Sequence, residues 1–237
     1  MTLHLRCEPT RCARRSRTPR VAASLALALG LVACAGGPPP ADWQVNAQSA
    51  IERANAAYLA GNNRVEAVEA ARARSAIALS GRPEVLARAE LVRCAARVAS
   101  LVFEPCAGFE AVRVDALPPE QAYADYLAGR IAKDGIALLP EAQRAVASAL
   151  AGGRDATAAV QAVADPLSRL VAAGVALQMG RASPAVMVAA IDAASAQGWP
   201  RPLLAWLGAQ AASAERAGDA AAAQRARRRM QQVGSGP

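Results

Sequence analysis

The chain has 237 residues, a formal net charge of +8 and an isoelectric point near 10.1. Six of its 27 basic residues and one of its 19 acidic residues lie in the first 33 positions, which leaves 21 basic against 18 acidic residues, or +3, for the rest. A near-balanced remainder of this kind argues against nucleic acid as a partner, and the single histidine, His4, leaves no imidazole beyond the head. That excludes Ser–His triads and histidine metal ligation, and it removes the side chain best matched to proton transfer near neutrality.

In chain order, the arginines at 6, 11, 14, 15, 17 and 20 come first, then an apolar run of 11 residues over 21–31. Next comes Leu31-Val32-Ala33-Cys34, followed by Ala35-Gly36-Gly37-Pro38-Pro39-Pro40. A charged n-region, a short apolar h-region and a small-residue cleavage site together read as an export signal over 1–33. The run is too short to span a bilayer, which needs roughly 20 helical residues. Leu31-Val32-Ala33-Cys34 resembles the lipobox of bacterial lipoproteins. The resemblance implies cleavage before Cys34 and acylation of Cys34 on its sulfur and then on its new amine. Two or more acyl chains hold a protein stably on a membrane where one is marginal. In that family an Asp after the cysteine favours inner-membrane retention. Ala35 stands there, so the implied location is the outer membrane, facing the periplasm of a bacterial envelope. The spacer, 34–41, contains three consecutive prolines and favours an extended polyproline segment between lipid and fold.

The body, 42–233, reads as helical throughout, with a frayed tail at 234–237. Asp42 is expected to cap a helix over 43–60, ended by Gly61-Asn62-Asn63. Further helices are expected at 64–79, 83–102 and 118–132, with an irregular stretch over 103–117. Shorter ones follow at 140–151, 155–164, 166–179 and 184–197, then 202–217 and 219–233. Prolines 83, 118, 166 and 184 suit the first helical position, where no amide donor is needed. No alternating strand pattern occurs. Only 3% of residues are aromatic, so the core must be built from alanine and small aliphatic groups, which permits close helix contacts.

Tyr58-Leu59-Ala60-Gly61 recurs as Tyr126-Leu127-Ala128-Gly129, an offset of 68 residues, or twice 34. Tyr58, Gly61, Ala67 and Ala71, with Gly218, Asp219 and Ala223 near the end, resemble the helix–turn–helix pattern of tetratricopeptide repeats. The resemblance implies an all-α fold of stacked antiparallel helix pairs, a tetratricopeptide-like α-solenoid with a groove. In such arrays the first helix of each pair lines the groove, so Arg53, Asn55, Tyr58, Tyr123, Tyr126 and Gln210 are the expected partner contacts. The alternative for the tyrosines is packing between pairs.

Two cysteines remain beyond Cys34. Cys94 lies on a helical face with Leu91, Val98, Leu101 and Val102, and Cys106 lies in the loop that follows. An oxidising compartment favours a structural disulfide between them, with a buried free Cys94 as the alternative. A redox-active C-x-x-C pair is absent. Glu66 and Glu69 are three residues apart on one helical face, a spacing open to carboxylate chemistry but expected here as a solvated face, with Arg72 pairing Glu69. Glu90, Arg93, Arg97 and Ser100 form the polar face of the 83–102 helix. Arg225, Arg228 and Arg229 share one face of the last helix, with Arg227 pointing elsewhere; near a helix C-terminus these cations are expected to complement its dipole, and they could also meet anionic headgroups.

These features point to a non-enzymatic, lipid-anchored envelope scaffold. It would have no cofactor, metal or nucleic acid, and its partners would be the membrane and an envelope protein. Two other readings remain: a cell-wall enzyme using carboxylates such as Glu66 or Glu104, and a lipoprotein that binds anionic lipid or lipopolysaccharide.

Overall fold

The computed structural model describes residues 39–235. The expected export signal and Cys34 lie outside the described residues, as do the last two residues of the tail. From Ala41 on, the described residues form eleven α-helices and two 3₁₀ turns, with no strand among them.

Helices α1 (Asp42–Leu59), α2 (Asn63–Ala78) and α3 (Pro83–Ala99) follow one another through short turns. The short α4 (Ala107–Glu110) and a 3₁₀ turn (Arg113–Asp115) occupy the stretch expected to be irregular. Then come α5 (Pro118–Leu127), a second 3₁₀ turn (Ile136–Leu138), α6 (Glu141–Ala151) and α7 (Thr157–Ala162). The last four are α8 (Pro166–Gln178), α9 (Pro184–Ala196), α10 (Pro200–Arg216) and α11 (Ala220–Gly234).

Local chemistry explains most of these boundaries. Five helices carry proline in their first turn. The side chains of Asn62, Asp165, Ser183 and Asp219 accept the amides of Val65, Ser168, Val186 and Ala222, which satisfies donors that the helix itself leaves unpaired. Asp42, by contrast, sits inside the first turn of α1 with Ala41 before it, and its carboxylate favours the positive end of the helix without capping it.

The recurring Tyr-Leu-Ala-Gly tetrapeptide is a recurring helix end. After α1, the Gly61 amide donates to the Tyr58 carbonyl and the Asn62 amide to Ala57. After α5, Gly129 donates to Tyr126 and Arg130 to Asp125, in the same pattern. Both glycines adopt positive φ, +86° and +72°, as this closure requires. Gly129 therefore stops α5 at Leu127, and the expected continuation to residue 132 does not form.

Helix α3 ends in the same closure without a glycine. Leu101 takes φ +60°, its amide donates to the Val98 carbonyl and the Val102 amide donates to Arg97. The helix stops at Ala99, three residues before the expected end. The chain thereby turns back early enough for Cys106 to return to Cys94.

Helices α3 and α8 cross at the centre of the core. Residues 170–176 of α8 are all buried, so the helix is covered all round. Gly174 makes the crossing close: a β-carbon built there would lie 2.4 Å from the Val98 carbonyl oxygen. Around this pair, α1, α2, α4 and α5 pack on α3, while α6, α7 and α9 pack on α8. The α10–α11 hairpin continues from α9, and α10 returns to α1. Two long-range hydrogen bonds fix that return: Arg201 donates to the Tyr58 carbonyl, and the Trp206 indole donates to the Ala99 carbonyl at 3.0 Å.

Candidate binding grooves and the arginine–glutamate network

The polar face of α3 does not face water. Glu90 is 3% exposed because α2 lies over it, and Glu66 and Glu69 of α2 are each 6% exposed. The expected solvated face is thus an interior ion-pair network. Glu69 accepts from Arg53 of α1 at 2.9 Å and from Arg72 at 2.5 Å, the latter being the expected neighbour. Glu66 accepts two bonds from Arg93, at 2.9 and 2.7 Å, with Arg97 at 3.8 Å. Glu90 accepts from Arg74 at 2.6 Å and from Arg93 at 3.1 Å. Arg93 therefore bridges two carboxylates, and the network clamps α1, α2 and α3 together. A buried carboxylate persists only where paired charge offsets its desolvation, and each of these three has two arginine neighbours. The Glu90 bond in turn holds the Arg74 guanidinium above its ordinary range.

The six expected partner contacts do not form one surface. Tyr58 is buried, with the Arg201 and Arg97 guanidinium carbons 4.3 and 5.2 Å from its ring centre. Both distances are within cation–π range. Burial raises the Tyr58 phenol, against the lowering pull of Arg201 and Arg97. Tyr126 is 1% exposed, and its hydroxyl donates to Gln143 Oε1 at 2.7 Å, while Gln143 Nε2 donates to the Ser168 carbonyl at 3.0 Å. This chain ties α5 to α6 and α8. Tyr58 and Tyr126 are therefore packing residues, the alternative open at the level of sequence. Arg53 is exposed but engaged by Glu69, and Asn55 is half-buried beside Tyr58 and Arg93. Gln210 is half-buried on α10.

Tyr123 alone of the six opens onto a sizeable cavity. It is half-buried, stacks on Tyr126 with ring centres 6.1 Å apart, and lines a groove of about 490 Å³. Burial, with the Asp165 carboxylate adding to it, raises its phenol. Leu91, Leu138 and Leu139 supply apolar walls, and Arg88, Glu120 and Arg144 supply the charge. Glu120 occupies the third position of α5, where the helix dipole favours a carboxylate. It is 5% exposed, and its Oε1 accepts from Arg88. Its Oε2 is buried with no hydrogen-bond partner among the described residues. Sequence reasoning missed Glu120 and Arg88 because they are 32 residues apart and meet only when α5 docks on α3.

A second cavity, about 260 Å³, lies beside the cysteines and is lined by Arg97, Glu104, Glu110, Arg130 and Gln178. Glu104 is exposed, and a hydrogen bond from Arg113 holds the Glu110 carboxyl below its ordinary range. Cys94 and Cys106 have their sulfurs at bonding distance, with Cα atoms 5.9 Å apart, inside the range disulfides adopt. Thiol titration of the denatured, unreduced chain should find neither cysteine free. Closing this loop should stabilise the fold by about 3 kcal/mol, so the reduced chain should melt lower. Two reactive thiols would make the pair a mere proximity.

Arg225, Arg228 and Arg229 are exposed on α11, whereas Arg227 pairs with Glu215 of α10. Among the described residues no group of three or more His, Cys, Asp or Glu side chains could hold a metal ion, and no helix is long and apolar enough to cross a membrane. Comparison with protein-family models, curated proteins and solved structures found no match.

Proposed function

We propose that this chain is a bacterial envelope lipoprotein, anchored through acylated Cys34, whose helical domain acts as a non-enzymatic protein-binding scaffold on the periplasmic face of the outer membrane. The observation that carries the proposal is the order charged head, short apolar run, Leu31-Val32-Ala33-Cys34 and proline spacer ahead of an all-helical body. Lipid would fix the location, and a helical surface would take an extended segment or helix of the partner. The arginine-bound state of Glu66, Glu69 and Glu90 supports a structural role for these carboxylates, since a general acid or base needs a proton-exchanging group free to reach its substrate. The tetratricopeptide-like reading is supported by the helix pairs α1–α2 and α10–α11 and by the repeated helix end.

Cys34→Ala should abolish incorporation of a labelled fatty acid and move the chain from the membrane to the soluble fraction. Unchanged membrane association would sink the anchor. Crosslinking in cells, detergent extraction and mass spectrometry should then recover a recurrent envelope protein.

One observation favours a second reading. Glu104 and Glu110 share the 260 Å³ cavity, as two carboxylates of a cell-wall hydrolase would. It ranks second because Glu104 and Glu110 are both exposed, whereas the acid of such a pair sits in a buried, apolar environment.

A further inference from the structure

We infer that the Tyr123 groove binds an extended polypeptide segment that presents one large apolar side chain next to an acidic residue. This inference rests on the protein-binding reading above and assigns the site for it.

The size comes first. A volume of about 490 Å³ lies within the range of formed binding sites, and it is larger than a single apolar side chain, so it leaves room for flanking backbone. The walls come from Leu91, Val92, Leu138, Leu139, Pro119 and Pro140, with the Tyr123 ring among them. Leu138 is 43% exposed, so an apolar edge stands open to solvent at the rim.

The polar groups then select the ligand. Glu120 lines the groove, but its unpartnered Oε2 has no surface open to a ligand, so the Arg88–Glu120 pair is met at Arg88. Arg88 already pairs with Oε1, so the ion pair is neutral overall and does not demand a cation. Arg88 is 62% exposed, and Arg144 uses its Nε on the Leu139 carbonyl, which leaves guanidinium edges of both at the groove. With Glu120 neutralised by Arg88, the groove carries one net positive charge from Arg144. The occupant must therefore offer an apolar group for the walls and acceptors, preferably anionic, at the edge. An extended peptide meets both: an apolar side chain for the walls, and a carbonyl and carboxylate for the arginines. A basic segment would meet the wrong sign.

The test is selection from a random twelve-residue peptide phage library on the full chain in detergent, followed by fluorescence-anisotropy titration of the enriched peptides. Enriched sequences should share a bulky apolar residue with Asp or Glu within two positions. Leu138→Ser and Arg144→Glu, both at exposed positions, should each weaken binding tenfold or more. Val188→Ser, at an exposed position on α9, should leave it unchanged. Circular dichroism and melting of each variant keep misfolding apart from lost binding. The inference is overturned if no peptide is enriched, if the enriched peptides are basic, or if Leu138→Ser and Arg144→Glu both bind as tightly as the parent. A cellular partner whose crosslink survives both substitutions would retain the scaffold reading and still overturn the groove.

Discussion

Gly174→Ala should destabilise the protein, although alanine is the better helix former. In an ordinary helix interior this change stabilises by roughly 0.5–1 kcal/mol. Here the new methyl carbon would sit 2.4 Å from the Val98 carbonyl oxygen and 3.0 Å from Val98 Cγ1. The obstacle is backbone, and backbone in use, because the Val98 carbonyl accepts the Leu101 amide that closes the end of α3. Either α8 moves away from α3, which opens their buried crossing, or the end of α3 distorts. Overpacking of this kind costs about 1–3 kcal/mol, which for a domain of this size lowers the melting midpoint by about 2–12 °C. Gly208→Ala on α10 is the matched control: its methyl would meet Met230 Cε at 3.8 Å, an ordinary contact, and should leave the midpoint unchanged or raise it. Parallel melts of the two variants decide the matter. Equal behaviour would mean that α3 and α8 have slack at the crossing.

The contrast between these glycines marks what could be read from the sequence. Local signals were legible. The first-turn prolines and the stop at Gly61 place most helices within a residue or two. Leu101 was not, because a leucine in the left-handed region gives no sign of itself in the sequence. Burial of the polar side of α3 was hidden too, because it depends on a second helix. Amphipathic spacing assigns one face of a helix to water, yet α2 brings Glu66 against that face to meet Arg93 and Arg97, and Arg74 to meet Glu90. Tyr126 looked like a contact residue because the repeat pattern put it on a groove-lining helix, whereas its hydroxyl is taken by Gln143 of the next long helix. Within the groove, Tyr123 was legible and the Arg88–Glu120 pair was not. Helices read one at a time disclose their ends; the site depends on which helices meet.

Trp206 is where the last hairpin depends most on such a meeting. Its side chain is fully buried, and its indole N–H donates to the Ala99 carbonyl. That carbonyl belongs to the last turn of α3, whose acceptors have no partner within the helix. The Arg97 and Val98 carbonyls are taken by the returning chain; Ala99 is served by a side chain 107 residues away. Trp206 thus fills the core between α10 and α3 and completes the end of α3 at once. Trp206→Ala removes both and should cost about 3–5 kcal/mol, enough to lower the midpoint by roughly 6–20 °C. Trp206→Phe separates the two contributions: it keeps most of the apolar volume but strands a buried acceptor, which costs about 1–3 kcal/mol. Chemical denaturation of both variants gives the comparison, and hydrogen exchange at the Leu101 and Val102 amides locates it. If the hydrogen bond matters as argued, the phenylalanine variant loses stability and those two amides exchange faster. If it is as stable as the parent with their protection intact, Trp206 acts through packing alone, and the end of α3 is held by its own turn.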